Sequence, residues 1–279
     1  MGPKNKREVA SDDDHMLSVS PRHSVRLALE YAHLIEKPPK HDYVVRTIVR
    51  REANGLPLMS AEIVIAGSAT RKEHPLAEKY PLHFRKTYAP ARLHGDPQKE
   101  YEYQGVAAEL IDVPPPIGFG ADVFRSCLVP GTPYNRLSPF GTEPEESNMR
   151  SARSLALAAA AGLWRLSEQA LDHLTKLHAG GLAHGDAELH NFVVCPAPLE
   201  LVVIDFESSL RKDALEPVDW ERRCALDLVP LLREAVFLQC TLGRQRGGLA
   251  ELAWERMDTL FRAPERFRRA IEEQADLSD

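Results

Sequence analysis

The chain has 279 residues, of which 43% are hydrophobic and 27% are charged. These values are ordinary for a globular protein, and the length allows either one domain or two lobes. The formal charge at pH 7 is −6, which excludes a general electrostatic attraction to nucleic acid or to anionic membranes. We therefore expect no nucleic-acid partner.

Cysteine usage and the distribution of apolar residues indicate the compartment. The 4 cysteines are widely spaced and form no C-x-x-C pair, which favours reduced thiols over disulfides or a zinc site. The first residues lack the apolar segment of a signal peptide. The longest apolar run, residues 155–164, is too short to span a bilayer. The sequence thus predicts a cytoplasmic protein without a transmembrane segment.

The chain begins with a tail and a helix. Residues 1–16 are polar and acidic and are expected to be a flexible tail. Apolar residues then recur at helical spacing between Pro21 and Ile35. The pair Pro38-Pro39 stops this helix, because proline fixes φ and lacks the N–H that a helix needs.

A strand-rich stretch follows the helix. Three segments with β-branched residues or alternating hydrophobicity predict strands. They lie at residues 43–49, 59–66 and 82–88. Asn54-Gly55 is a turn signal between the first two strands, and a polar insertion at residues 69–80 separates the second from the third. These strands are expected to form an antiparallel meander.

The second half of the chain is mainly helical. Residues 98–110 predict a helix and residues 123–129 a strand, after which a Pro/Gly/Ser/Asn-rich linker runs through residues 132–148. Further helices are expected at residues 151–179, 220–240 and 249–274, and short strands at residues 192–195 and 201–204. A β-rich part followed by a helical part predicts an α+β fold. The predicted divisions are the tail at 1–16, an N-lobe at 17–130 and a C-lobe at 131–279.

Three polar residues in the second half suit phosphate chemistry. A predicted helix ends at a Gly-Gly turn, and the loop that follows presents Asp186 and, five residues later, Asn191. The last predicted strand then delivers Asp205. A loop aspartate can accept a hydroxyl proton. An asparagine and a second aspartate offer the hard oxygen ligands that Mg²⁺ prefers.

A cation for nucleotide phosphates is also present. Lys86 lies on the third predicted strand, and Glu102 lies on the following helix. Val106 and Leu110 follow Glu102 by four and eight residues, so this helix would turn a carboxylate and an apolar stripe to the same side. Glu100 is the alternative partner of Lys86, and the stripe favours Glu102.

These residues resemble the motifs of the protein-kinase-like superfamily. Its catalytic loop, H-x-D-x-x-x-x-N, is matched by HGDAELHN at residues 184–191, and its D-F-G motif by DFE at residues 205–207. The resemblance covers residues 42–240, and the order of the parts agrees. It implies a two-lobed α+β fold, with a small antiparallel β-sheet N-lobe that binds ATP and a helical C-lobe.

The same resemblance implies ATP and Mg²⁺ as cofactors and a role for each candidate residue. Asp186 would be the catalytic base, while Asn191 and Asp205 would hold Mg²⁺. Lys86 would contact the phosphates, and Glu102 would anchor Lys86.

The resemblance also assigns roles outside the loop. Residues 127–129 would form the hinge that hydrogen-bonds adenine, through Cys127 and Val129. Asp227 resembles the buried aspartate that braces the catalytic loop from the next helix. His184 is expected to hold the loop's backbone rather than to act as a catalyst.

Several positions depart from the family pattern and indicate an atypical member. Glu207 replaces the glycine of D-F-G, with loss of that glycine's conformational freedom. Gly185 replaces the arginine of H-R-D, and little room is left between Asp205 and Asp227 for an activation segment. These features resemble lipopolysaccharide-core sugar kinases, RIO-type kinases and aminoglycoside phosphotransferases, and the chain's spacing favours the first two.

The favoured interpretation is an ATP- and Mg²⁺-dependent kinase that transfers the γ-phosphate to a hydroxyl of a protein, a sugar or another small molecule. Two alternatives are a pseudokinase or nucleotide-binding regulatory module, motivated by Glu207, and nucleotidyl transfer to protein on the same fold. Glu188 lies two residues after Asp186, where a carboxylate would repel phosphate unless it binds a metal or a cationic acceptor. The sequence does not choose among acceptors.

Overall fold

The structure is a computed structural model that describes residues 18–19, 21–51, 57–89, 95–134, 165–196 and 199–242. The chain divides into two compact units. The first is Met1–Glu109, Val113–Thr132 and Ile204–Glu207, and the second is Leu110–Asp112, Pro133–Val203 and Ser208–Asp279. Several expected features lie outside the described residues: the 1–16 tail, the Asn54-Gly55 turn, most of the 132–148 linker and the 249–274 helix.

The first unit begins with a short strand and two helices. Strand β1 is Ser18–Val19, and helices α1 and α2 are Pro21–Glu30 and Ala32–Glu36. The single helix expected in this stretch therefore breaks at Tyr31, and it ends before the two prolines, as predicted.

A five-stranded antiparallel sheet forms the body of the first unit. Its strands are β2 (Tyr43–Arg51), β3 (Pro57–Ile65), β4 (Leu82–Tyr88), β5 (Pro116–Phe119) and β6 (Val123–Cys127). Their order in the sheet is β2-β3-β4-β6-β5, so the predicted meander of the first three is confirmed. The sequence did not predict β5, because a run of prolines leads into it. Pro116 is tolerated there as the first residue of an edge strand.

Two stretches are more finely divided than expected. The strand expected at 123–129 stops at Cys127, and a separate strand β7 at Val129–Pro130 pairs in parallel with β1. The polar insertion expected at 69–80 contains two short helices, α3 (Ser68–Glu73) and α4 (Leu76–Lys79).

Helix α5, Pro97–Ala108, has a clear start signal. The Asp96 carboxylate accepts hydrogen bonds from the backbone N–H groups of Gln98 at 3.0 Å and Lys99 at 3.2 Å. Pro97 is the first helical residue, where its missing N–H leaves no helical bond unmade. These signals define where the helix begins.

A network of charged side chains stabilises the first unit. The Asp42 carboxylate accepts hydrogen bonds from the Gly67 N–H at 3.0 Å and from Arg85 at 3.0 Å, and it pairs with Arg125 at 2.7 Å. Burial opposes the ionisation of Asp42, but the Gly67 N–H and the Arg125 guanidinium lower its pKa to about 2. Arg125 also lies 3.3 Å from the Nε2 atom of His83.

The buried His83 side chain predicts a pH dependence of stability. Burial and the Arg125 charge lower the pKa of His83 from 6.5 to about 4. Between these pH values the unfolded chain binds a proton that the folded protein does not. The free energy of unfolding therefore falls as the pH drops from 6.5 towards 4, by up to about 3 kcal/mol.

The variant His83→Gln tests this prediction, because glutamine keeps a hydrogen-bonding group and cannot titrate. Urea unfolding at several pH values gives the free energy of unfolding as a function of pH. Between pH 4 and 6.5 this free energy should change less with pH in the variant than in the wild type. His33→Gln, at an exposed position, should keep the wild-type slope. Parallel stability curves for wild type and His83→Gln would contradict the assignment.

The second unit is mainly helical. The chain enters it at strand β8 (Thr132–Pro133) and continues as helix α6 at 165–179, strands β9 (Leu182–Ala183), β10 (Phe192–Pro196), β11 (Leu199–Val203) and β12 (Leu210–Arg211), and helix α7 (Pro217–Leu242). Strands β10 and β11 form an antiparallel hairpin, as predicted. Leu174 and Leu177 of α6 are fully buried in its core.

The two units together confirm the predicted α+β class: a small antiparallel sheet with helix α5 in one unit, and a mainly helical second unit. None of the described helices is long and apolar enough to cross a membrane.

Candidate active site

The first unit holds one group of candidate residues, which is built on β4. Residues two apart on a strand share a face, so Phe84, Lys86 and Tyr88 point to the same side of the sheet. All three are buried, and Lys86 has no exposed surface. A lysine without access to water must find anionic partners, because an unpaired buried charge is very costly.

Three carboxylates surround the Lys86 ammonium group. The Nζ atom lies 3.2 Å from Glu100 and 2.8 Å from Asp205, and it also contacts Glu207. Burial by itself would lower the pKa of Lys86, but the carboxylates of Asp205 and Glu100 raise it well above its ordinary value. Lys86 is therefore a permanent cation held inside the protein.

The residue of α5 that pairs with Lys86 is Glu100. The prediction of Glu102 as this partner is wrong. The side chain of Glu102 is exposed and accepts a hydrogen bond from Gln98 at 2.8 Å. The buried face of α5 consists of Pro97, Glu100, Gln104 and Ala107. The residues of this face have helical spacing, but two of them are polar. The stripe through Glu102 is more apolar, so the sequence favoured the wrong face of the helix.

Glu100 lies deep in the first unit. Its carboxyl group accepts a short hydrogen bond from the Tyr88 hydroxyl, a contact that the alternation of β4 could have indicated. Burial raises the pKa of Glu100 to about 7, although the Lys86 charge opposes this. With three carboxyl groups around one lysine, a proton on Glu100 near neutral pH relieves part of the excess negative charge.

Asp205 and Glu207 reach Lys86 from the segment that follows β11. Asp205 has a φ of 65°, and among the described residues it is the only non-glycine with positive φ. The left-handed conformation therefore falls on Asp205 and not on Glu207, the position of the glycine in D-F-G. The backbone here does not need glycine at 207, so Glu207 is accommodated without the strain that its sequence position suggested.

A pocket in the first unit adjoins this cluster. Its lining residues are Phe84, Glu100, Gln104, Pro114, Phe124, Ser126, Cys127, Ile204 and Asp205. The Gln104 amide donates to the Ser126 hydroxyl at 2.7 Å and to the Pro114 carbonyl at 2.5 Å, which joins α5 to the strands around the pocket. The sequence did not single out Gln104.

The expected hinge residues lie at one end of this pocket or just beyond it. The Cys127 N–H donates to the Pro115 carbonyl at 3.1 Å, so this N–H is already used within the first unit. Val129 lies in β7, opposite Ser18 of β1. The backbone of residues 127–129 is therefore placed by its neighbours, as a rigid recognition edge requires.

The second unit holds its own group of candidate residues, on the loop after β9. The Asp227 carboxylate of α7 accepts hydrogen bonds from the backbone N–H of His184 at 2.7 Å and of Gly185 at 2.8 Å, and from His178 at 2.9 Å. Asp227 thus braces the loop from the next helix, which is the role that the resemblance implied.

The braced loop positions Asp186 and Asn191. The Asn191 amide nitrogen donates to the Asp186 carbonyl at 2.8 Å and lies 3.3 Å from its carboxylate. The Asp186 N–H points to the Nδ1 atom of His184 at 3.3 Å. His184 is fully buried, and its contacts hold the loop's backbone, as expected from the sequence.

Gly185 is required by the loop's geometry. Its φ is 81°, and a Cβ atom built there would lie 2.1 Å from the Ser208 carbonyl oxygen. A side chain at this position would meet rigid backbone and would also strain the left-handed conformation. The absence of an H-R-D arginine is thus tied to the close approach of the Ser208 backbone.

The loop brace predicts a large effect of Asp227→Asn. The asparagine amide group would replace one of two acceptor oxygens, so at least one buried N–H of the loop would face another donor. We expect the free energy of unfolding to fall by about 2–3 kcal/mol. Thermal or urea unfolding measures this loss.

The matched control is Glu221→Gln, at an exposed position on the same helix, which should change stability by less than about 0.5 kcal/mol. Equal stability of Asp227→Asn and the wild type would contradict the role of Asp227 as the brace.

Each unit holds an oxygen atom of a kind that suits a magnesium ion. In the second unit, Asn191 uses its amide nitrogen on Asp186, so its carbonyl oxygen is the atom that remains for a metal. In the first unit, the Asp205 carboxylate accepts a hydrogen bond from Lys86 at 2.8 Å. Carboxylate and amide oxygens are hard ligands of the kind that Mg²⁺ takes.

Comparison with known proteins gives a structural likeness and no sequence match. No protein-family model matches the chain, and no curated protein matches its sequence significantly. Two crystal structures of the Rio2 kinase from Chaetomium thermophilum are similar at 18% identity. One is the Rio2 kinase-ADP/Mg²⁺-phosphoaspartate complex, with a TM-score of 0.41 over 92% of this chain and 78% of that chain.

The other Rio2 kinase structure has a TM-score of 0.42 over 88% of this chain and 76% of that chain. Along the chain, the strand with Lys86 comes first, helix α5 with Glu100 follows, and the loop braced by Asp227 comes last. This is the order that the motif resemblance predicts.

Proposed function

We propose that this protein is an ATP- and Mg²⁺-dependent phosphotransferase that transfers the γ-phosphate to a hydroxyl of a protein, a sugar or another small molecule. The observation that carries the proposal is the fully buried Lys86, ion-paired with Glu100 and Asp205. A buried cation adds little to stability after its desolvation cost. Strongly perturbed buried groups beside a pocket are typical of functional sites.

Phosphoryl transfer requires mainly positioning and neutralisation of charge. Lys86 would donate hydrogen bonds to the phosphates, and Glu100 would hold Lys86 in place. Adenine would be recognised by backbone groups of Cys127 and Val129. The ion pair between Lys86 and Glu100, at 3.2 Å, supports these assignments.

The loop of the second unit would act on the acceptor. Asp186 would orient the acceptor hydroxyl and accept its proton, and Asn191 keeps the Asp186 carboxylate in position through its amide. Asn191 and Asp205 would hold Mg²⁺, whose chemistry is to neutralise the charge of the phosphate oxygens. The acceptor is expected to be a protein or a small molecule, and the expected compartment is the cytoplasm.

A nucleotide-binding regulatory module is the second candidate. The contact of Glu207 with Lys86 favours it, because a lysine that is fully engaged by carboxylates would bind phosphate weakly. In this case the protein would bind nucleotide and would not turn it over.

Labelled ATP separates these candidates. The protein is incubated with Mg²⁺ and ATP labelled at either the α- or the γ-phosphate, and label is followed to water, to the protein and to added acceptors. Transfer of the γ-label with release of ADP supports the kinase. Transfer of the α-label would indicate nucleotidyl transfer, and a nucleotide-dependent rise in melting temperature without any transfer would indicate the regulatory module.

A further inference from the structure

The Lys86 ammonium group is already surrounded by carboxylates. It donates hydrogen bonds to Glu100 at 3.2 Å and to Asp205 at 2.8 Å, and it forms an ion pair with Glu207. An ammonium group has three N–H donors, and three carboxylates, from Glu100, Asp205 and Glu207, lie within ion-pair distance of the Lys86 nitrogen. The lysine is completely buried, so water supplies no alternative partner. A phosphate that binds Lys86 therefore competes with these three carboxylates for the ammonium group.

Glu207 is the carboxylate best placed to give way. The Glu100 side chain is 2% exposed and accepts a hydrogen bond from the hydroxyl group of Tyr88 on β4. The Asp205 side chain is 10% exposed and is fixed by a left-handed backbone. Glu207 is the most exposed of the three, at 15%, and its longer side chain has more rotatable bonds with which to move away.

The charge balance makes this displacement unfavourable for a bare nucleotide. One lysine against three carboxylates gives the cluster an excess of negative charge, which a phosphate would increase at short range in a poorly solvated site. A divalent cation bound beside Asp205 offsets that excess and offers the displaced carboxylate a partner. Nucleotide binding and cation binding are then coupled through the same side chain.

We infer that Glu207 occupies the phosphate-binding face of Lys86 in the nucleotide-free protein and thereby makes nucleotide binding depend on a divalent cation. Glu207 is a positioning residue that acts through Lys86. The inference rests on the proposed nucleotide site and adds to it a reason why the third residue of the motif is a carboxylate. The site takes a nucleotide together with its cation and discriminates against the nucleotide alone.

The test is the affinity for ADP, measured by titration calorimetry in EDTA and in Mg²⁺, for the wild type and for Glu207→Gln. Glutamine has nearly the shape of glutamate and lacks its charge. We expect Glu207→Gln to bind ADP in EDTA on the order of tenfold more tightly than the wild type. The ratio of affinities with and without Mg²⁺ should shrink correspondingly.

Two further variants sharpen the result. Glu207→Asp keeps the charge on a shorter side chain and should retain most of the wild-type dependence on Mg²⁺. Glu109→Gln removes a carboxylate from an exposed position in the same unit and should leave both affinities unchanged. A melting temperature recorded for each variant shows that all of them are folded under the conditions of the titration.

The outcomes are distinguishable. In one outcome, the wild type binds Mg²⁺–ADP, but the wild type and Glu207→Gln have the same affinity for ADP in EDTA. This result overturns the inference and still supports the nucleotide site. An equal gain in ADP affinity in Glu109→Gln overturns the inference as well, because the gain would then come from the net charge of the protein and not from the position of Glu207. No ADP binding by any variant in either condition overturns the nucleotide site and the inference together.

Discussion

Replacing Asp186 by asparagine should lower the rate of phosphate transfer by a factor of about 10²–10⁴ while the affinity for Mg²⁺–ADP stays within about twofold of the wild type. The amide cannot accept the proton of an attacking hydroxyl. Asparagine keeps the size of aspartate and can still accept the hydrogen bond from Asn191, so the loop should hold its shape. The rate is measured as γ-label transferred to water or to an acceptor.

Asp213→Asn is the matched control for this variant. Asp213 is exposed and pairs only loosely with Arg211, at 3.5 Å, so its loss should not alter the rate. Unchanged transfer in Asp186→Asn would remove Asp186 from the chemistry. A parallel loss of ADP affinity would show that the residue acts in binding and not in proton transfer.

Replacing Lys86 by methionine should reduce the free energy of unfolding at pH 7.5 by about 3–5 kcal/mol and abolish measurable nucleotide binding. Methionine fills a similar volume but leaves the carboxyl groups of Glu100, Asp205 and Glu207 without their cation. Like charges that are held close together in a buried site repel strongly. The loss of nucleotide binding follows because the phosphates lose the cation proposed to bind them.

The stability loss in Lys86→Met should depend on pH. Burial raises the pKa of Glu100 to about 7 and the Lys86 charge opposes this rise, so removing the lysine raises the pKa of Glu100 further above its unfolded value. The contribution of Glu100 to stability is then fully present below its unfolded pKa and is lost as the pH rises. Urea unfolding should therefore show a smaller defect at pH 5 than at pH 7.5. The double variant Lys86→Met/Glu100→Gln should recover part of the loss, because one carboxyl group is removed.

Lys176→Met is the control for the lysine replacement. Lys176 is 53% exposed and forms an ion pair with Asp172 on the same helix, at 2.7 Å. Such a pair contributes about 0.5 kcal/mol or less. If both lysine variants lost the same free energy of unfolding, the buried ion pairs of Lys86 would contribute no more to stability than a surface ion pair.

The part of the site that is local in sequence could be predicted well. Asp186 and Asn191 are five residues apart, and their contact is set by one short loop between β9 and β10. The hairpin that carries the chain to Asp205 follows from two short apolar segments, at residues 192–195 and 201–204, joined by a short connection. The motif therefore determined which residues the loop presents.

The partner of Lys86 was predicted wrongly, and the reason is the rotation of a helix. Glu100 and Glu102 lie on the same helix, about 200° apart around its axis, so only one can face the sheet. The apolar stripe favoured Glu102, but the helix buries the face with Glu100 and Gln104. The polar groups on that face are satisfied by Lys86 and Ser126, which lie on strands distant in sequence.

By itself, the sequence determined the α+β class, the order of the strands in the meander and the residues that the loop between β9 and β10 presents. These features depend on local periodicity, turns and spacing along the chain. Only the tertiary structure decided that Lys86 holds Glu100, Asp205 and Glu207 at once. That arrangement depends on which side chains are excluded from water together, because a buried cation collects every carboxylate within reach.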